Sequence, residues 1–348
     1  MSHQHPPTSP QGGQQPPSSD TATNSSHLFP LVETLEHRRF AEFCDACRRY
    51  AYIGLCYGPP GVGKTLSARS YSRWDKVRQS DRRGSGPAED PLLDTVFYTP
   101  PVVNAPGTIA SGIRYRRDTL GDLARRPLRL EKEEKLESIQ RRDEEYHATL
   151  LYEHDWLADT LPELRPTYRE VARDYGIEEM KMPHPTKLII IDEADRLRMA
   201  SLEQVRDIFD GGEIGVILIG MPGLEKRLAR YPQFYSRIGF VHEFRPLDAA
   251  AIRQLFQQGW TPGGVQLRPQ PWDQEAVAAI IRITGGNFRL LGRLLTLMER
   301  ILEINALREV SKAVVEAARA SLVIVLTSYG GCGAFPSQVH HCSDRYNL

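Results

Sequence analysis

No stretch of this chain approaches the roughly 18 consecutive apolar residues that a membrane-spanning helix requires, so no membrane association is expected. Its first residues, Met1-Ser2-His3-Gln4-His5, lack the charged and apolar regions of a secretory signal, and a cytoplasmic location is the expectation. There is no charge of one sign to read: 44 Lys plus Arg balance 44 Asp plus Glu, so only local distribution can speak to partners. Cysteines are few, and five is an odd number, which argues against a disulfide framework. Residues 1–27 have almost no large apolar side chain and cannot bury enough surface to offset ordering, so a disordered tail is expected there. The chain as a whole is 41% hydrophobic over 348 residues, enough for a proper core and for one large or two modest domains.

What is present is a phosphate-loop pattern, Gly58-Pro59-Pro60-Gly61-Val62-Gly63-Lys64-Thr65. The apolar run Tyr52 to Tyr57 before it suits a buried strand, and Thr65 and Leu66 open a helix after it. Strand, glycine loop and helix in that order make a nucleoside triphosphate site: the loop turns its amides onto the phosphates, Lys64 reaches the outer two, and the Thr65 hydroxyl ligates Mg²⁺. A second run, Lys187 to Ile191, is a buried-type strand that delivers Asp192 and Glu193 at its C-terminal end. That end is where open α/β sheets bind ligands. Asp192 is expected in the Mg²⁺ shell and Glu193 against the attacking water, since phosphoryl transfer asks chiefly for positioning and charge stabilisation.

Further strands are expected at Leu93–Thr99, Val216–Gly220 and Val241–Phe244, alternating with helices at 32–50, 201–209 and 224–231. Such alternation specifies a mostly parallel sheet covered by helices on both faces. Residues 80–91 read as an exposed loop. From Asp248 the strands stop, and four helices follow at 248–260, 273–284, 287–304 and 310–322, several opened by Asp or Asn at a cap position. The expected organisation is a tail at 1–27, a nucleotide-binding α/β domain at 28–247 with a charged helical insert at about 104–180, an all-helical lid at 248–323 and an irregular tail at 324–348.

Within the insert Arg114, Arg116, Arg117, Arg125, Arg126 and Arg129 face only Asp118 and Asp122, and the sign then reverses from Glu131 to Glu163. Such runs form solvated faces or, for the arginines, a surface for double-stranded DNA. Cys44 and Cys47 share one face of the first helix at C-x-x-C spacing. They are either small core-facing residues or half of a zinc site whose other ligands would come from Cys332, His340, His341 and Cys342.

The phosphate loop, the Asp192-Glu193 strand, the apolar strand after it, an Arg ahead of the last strand and the lid run Gly285-Gly286-Asn287-Phe288-Arg289 together resemble the AAA+ ATPases over about residues 30–323. The runs Asp192 to Leu197, Ile219 to Leu224 and Arg230 to Ile238 look like the TniB, TnsC and MuB group of transposition ATPases. That resemblance implies an ATPase that assembles as a homo-oligomer, ring or helical filament, on DNA, selects target sites and recruits a transposase. It also makes Arg237 the arginine finger that reaches the neighbouring subunit's γ-phosphate and Arg289 the lid arginine called sensor 2. An oligomeric signalling or defence switch that acts on proteins, and a replication-initiator-like DNA remodeller, are the alternatives. Where many of the family carry a polar sensor 1 residue, this chain has Gly220 and Met221.

Overall fold

The computed structural model describes residues 32–83, 93–150, 167–262, 265–267 and 272–322. The expected tails at 1–27 and 324–348, with Cys332, His340, His341 and Cys342, lie outside the described residues, as do positions 84–91 of the expected loop and 151–163 of the acidic segment. Helix α1 (Leu35–Tyr50), capped by the Thr34 hydroxyl, leads into strand β1 (Ile53–Tyr57). The phosphate loop then opens α2 (Lys64–Ser72), and α3 (Trp74–Arg83) follows after a single left-handed residue, Arg73. Residues 80–83, expected in a loop, therefore belong to a helix. Val77 on its inner face is fully buried, and that packing outweighs the polar composition that suggested a loop.

Strand β2 (Thr95–Tyr98) precedes the charged insert. The insert is one long helix, α4 (Pro106–Leu150), and α5 (Tyr168–Lys181) returns along it. The sign reversal near Glu131 does not interrupt α4, and neither does Pro127. What holds the pair together is specific: Glu179 accepts from Arg129 at 2.8 Å, and the Tyr175 hydroxyl donates to Glu131 at 2.9 Å. A capping box between Thr167 and Glu170 starts α5.

Strand β3 (Leu188–Ile191) carries the Asp192–Glu193 turn, and α6 (Met199–Asp210) leads to β4 (Gly215–Gly220). The helix expected over 224–231 stops early as α7 (Leu224–Leu228), and a separate short turn, α8 (Pro232–Tyr235), follows. The break has a local cause: the residue before a proline is pushed off helical geometry, and Tyr231 sits at φ −119°, ψ 85°. Strand β5 (Ile238–Glu243) begins three residues before the expected start, because the Arg237 carbonyl already accepts from the Ile53 amide at 3.2 Å and sets the pairing.

The five strands are parallel, in the order β2-β3-β4-β1-β5. The central strands β3 and β4 are buried along their whole length, with Ile189, Ile190, Ile217 and Leu218 completely enclosed. A second apolar core is built from α9 (Ala249–Gln257), α10 (Gln274–Thr284), α11 (Phe288–Ile304) and α12 (Lys312–Ala320). Asp248, Asp273 and Asn287 cap the first three of these helices with their side chains. Cys44 and Cys47 face the sheet's core, where burial pushes the Cys47 thiol up to about 12 and the Cys44 thiol well above its usual range. Among the described residues, no helix is long and apolar enough to cross a membrane.

Because Ile217 lies at the centre of the sheet with no exposed surface, Ile217→Ala is expected to cost about 2–5 kcal/mol. Urea unfolding should show a lower midpoint at unchanged slope; a midpoint equal to the parent's would mean that β4 is not the centre of this core.

Candidate nucleotide site

At the C-terminal ends of the central strands lies a cavity of about 320 Å³. Its floor is the loop from Pro60 to Leu66; Asp192, Glu193 and Asp195 enter from one side, and Val32, Phe244, Leu247 and Phe288 form an apolar wall opposite. Gly58 and Pro59 stand behind the floor, and their carbonyls accept from the Lys64 ammonium at 2.5 and 2.8 Å. The next two carbonyls are also taken. That of Pro60 accepts from Asn287 Nδ2 at 2.7 Å, and that of Gly61 from the Arg289 amide at 3.1 Å. With four consecutive carbonyls occupied by protein donors, the loop's amides are what it has left to offer a ligand, and an anion is the ligand that suits them.

This arrangement requires a bare backbone at residue 61, which sits at φ +82°. A Cβ there would come within 2.9 Å of the Arg289 Cβ, besides crowding the Asn287 amide. Burial lowers the pKa of Lys64, opposed by Cys56 and by the carboxylates of Asp192 and Asp195, with Arg289 near enough to reinforce the lowering. The Asp192 carboxyl is held above its usual range by burial, against hydrogen bonds from the Thr65 hydroxyl and the Glu193 amide, the latter at 2.9 Å. A hydroxyl and a carboxylate brought together at the rim of an anion cradle are hard oxygen donors of the kind Mg²⁺ takes, so Thr65 and Asp192 fit the ion expected there.

Glu193 is in the left-handed conformation at φ 52° and is exposed, with its carboxylate at the edge of the cavity and paired with Arg196. Gly220 leaves no room for a side chain at the end of β4: a Cβ would stand 2.7 Å from an oxygen of Asp195. The Met221 amide instead donates to Asp195 Oδ2 at 2.8 Å. The polar group at this end of β4 is therefore Asp195, a member of the same acidic run as Asp192 and Glu193.

The sequence model of the AAA domain matches residues 47–228. A Staphylococcus aureus protein named a potential ATP-binding protein is 40% identical over 302 residues, spanning 84% of this chain and 97% of that one. The chain belongs to the AAA domain family. Among solved structures, the RuvB Holliday junction branch migration motor of Thermotoga maritima is similar at TM-score 0.44 and 13% identity, over 84% of this chain and 70% of that chain. The ORC1 protein of Aeropyrum pernix, solved in complex with DNA, is similar at TM-score 0.45 and 18% identity, over 84% and 66%. Likenesses this remote say nothing of what the present AAA domain binds.

The remaining expected residues of this AAA domain are not all in one place. Arg289 lines the cavity. Arg237 does not; it precedes β5, at the end of the strand away from the cavity, where it grips Asp210. The arginines of α4 separate into two sets. Arg116 lies over the Tyr98 ring at 4.8 Å and donates to the Gly112 carbonyl, and Arg126 donates to the Ser80 carbonyl at 3.2 Å. Arg114 is exposed, while Arg117 and Arg125 flank His184, whose pKa is lowered by burial and then by these two cations. Phe244 and Phe288 were missed because an aromatic residue at a strand or helix end looks like core in any sequence; the cavity wall appears once the lid is in place.

Asn287 both caps α11, accepting from the amides of Arg289 and Leu290, and ties the lid to Pro60. Asn287→Ala is expected to cost about 1 kcal/mol through the lost cap, whereas Asn287→Asp keeps the cap and loses only the donor to Pro60. A melting curve should rank the parent first, the Asp variant second and the Ala variant last; equal melting of all three would show that neither bond matters.

Proposed function

We propose that this protein binds ATP with Mg²⁺ and hydrolyses it, assembles as a head-to-tail oligomer on double-stranded DNA, and regulates transposition by selecting target DNA and recruiting a transposase. The observation that carries the ATPase part is the division of the loop: its carbonyls turned away onto Lys64, Asn287 and Arg289, its amides left for phosphates beside Asp192 and Glu193. Lys64 exchanges its carbonyl partners for phosphate oxygens, and Thr65 and Asp192 hold the Mg²⁺, which when bound neutralises charge on those oxygens. Glu193, exposed at the rim, orients the attacking water. Arg289 reaches the phosphates from the lid, and Arg237 serves the site of the next subunit.

Head-to-tail association closes into a ring or continues as a helix according to its rotation. For DNA, the support is the cluster of Arg114, Arg117 and Arg125 on one side of α4, with His184 beside the last two. Arg114 and Arg125 are eleven residues apart on α4, close to three full helical turns and so nearly on the same face. The transposition part rests on the likeness of the runs at 192–197, 219–224 and 230–238 to the TniB, TnsC and MuB group. Retention of a DNA duplex by the purified protein, with and without a non-hydrolysable ATP analogue, is the deciding experiment. ATP turnover with no DNA retention under either condition would favour an oligomeric switch that acts on proteins.

Lys64→Ala is expected to abolish binding of a fluorescent ATP analogue, while Glu193→Gln binds as the parent does and does not turn over. Equal loss of affinity in both would contradict this division of roles. Replacing Arg114, Arg117 and Arg125 together by Glu is expected to weaken duplex binding irrespective of sequence. The plot of log affinity against log salt should flatten by about 0.9 for each phosphate that the protein no longer neutralises. ATP binding should be unchanged; an unaltered salt slope would place the DNA elsewhere on the molecule.

A further inference from the structure

The bonds made by Arg237 go beyond what a reach into a neighbour requires. Its Nε donates to Asp210 Oδ1 at 2.6 Å and its Nη2 to Oδ2 at 2.8 Å, a side-on bidentate pair, and its Nη1 donates to the Gln233 carbonyl. The surroundings hold this grip in turn. Arg206, one turn before Asp210 on α6, donates to Gln233 Oε1 at 2.6 Å and pairs with Glu203 at 2.9 Å. Asp210 takes no part in the cavity of its own chain.

A guanidinium carries five N–H groups in a rigid plane. Three of those on Arg237 are occupied, all by groups of its own chain, which leaves one on each terminal nitrogen. With the Nε edge closed by Asp210, it is the terminal nitrogens that keep donors for a phosphate or carboxylate. With 30% of its side chain exposed, Arg237 would otherwise be free to sample many rotamers, and a neighbour would have to order it on docking.

From this we infer that Asp210 is a positioning residue for the reaction in the adjacent subunit: it fixes the plane of the Arg237 guanidinium so that its free end projects from the surface. The inference rests on the reading of Arg237 as acting in trans. It differs from a latch, in which Asp210 would have to let go before Arg237 could work. A splint raises turnover by being present; a latch raises it by being removed.

The test uses the full chain and four variants: Asp210→Ala, Asp210→Glu, Arg237→Ala and the double Asp210→Ala/Arg237→Ala. Steady-state ATPase and analogue titration are run on each. A misplaced catalytic group costs on the order of 10²-fold, so Asp210→Ala is expected to lower kcat by about tenfold to a hundredfold without change in nucleotide affinity, with Asp210→Glu recovering part of the loss. In the Arg237→Ala background, loss of Asp210 should add nothing, because the two act as one unit. Mixing Asp210→Ala with Glu193→Gln should restore turnover, since the second variant lends an intact Arg237 to the first variant's intact site. If Arg237→Ala is as active as the parent, the trans reading itself fails. If Arg237→Ala is slow and rescued by Glu193→Gln while Asp210→Ala runs at the parent rate or faster, the trans reading stands and the splint is overturned.

Discussion

The close approach of the 58–65 loop to the first turn of α11 fixes how the two cores of this molecule meet. Pro60 and Gly61 give their carbonyls to Asn287 and Arg289, and the Gly286 carbonyl accepts from the Leu247 amide at 3.0 Å on the way back. Each of these bonds joins the lid to either the phosphate loop or the segment after β5. A peptide plane that points its carbonyl outward points its own N–H the other way, so satisfying the carbonyls from the lid side also orients the donors on the cavity side. The anion cradle is therefore a product of the interface between the domains as much as of the glycine pattern. The same approach encloses the apolar wall of Phe244, Leu247 and Phe288, which has no counterpart on the sheet alone.

The parts of the site that were legible in the sequence are those whose chemistry and position come from one short run. Gly58 to Thr65 carries its own strand before and helix after, and Asp192-Glu193 ends a strand that no surface could tolerate. The strands β1, β3 and β4 were equally plain because all three are continuous branched or apolar runs, the mark of a parallel sheet buried on both faces. β5 was harder: it is an edge strand with alternate residues exposed, and its start is set by a backbone bond from Ile53 to Arg237 that no local pattern encodes. The length of α4 was obscured for a similar reason. α5 packs on both sides of its sign reversal, through Arg129 before it and Glu131 after it, so the change of charge marks no change of backbone.

Charge density proved the least transferable signal. Six arginines within sixteen residues suggest one positive surface, yet Arg116 is absorbed by Tyr98, Arg126 by a carbonyl of α3 and Arg129 by Glu179 and Asp122. Every one of those partners lies off the arginine's own sequence neighbourhood except Asp122, so composition had no means of removing them. What remains is a smaller patch: Arg114, exposed, and Arg117 and Arg125, which stand beside His184 and add to the lowering of its pKa that burial begins. On a chain of zero net charge, a patch of this kind has local reach only, within about one Debye length of 8–10 Å. That suits a surface which grips a backbone at close range and does not steer it from afar.

One element connects the two ends of the proposed chemistry. Helix α6 begins just after the Glu193–Arg196 turn, where Ser201 donates to Asn104 at 2.8 Å and Asn104 in turn donates to the Arg196 carbonyl at 2.9 Å. It ends at Asp210, on the guanidinium of Arg237. Twelve residues make a rod of roughly 18 Å, with its inner face of Leu202 and Val205 buried in the first core and α4 as its neighbour. A packed helix moves as a body, because its side chains interdigitate with neighbours at near-crystal density and do not deform piecemeal. A single packed helix therefore joins the turn that carries Glu193 to the holder of Arg237. On the trans reading, the two ends of this rod would stand at two different nucleotide sites, its near end at the chain's own and its far end at the neighbour's.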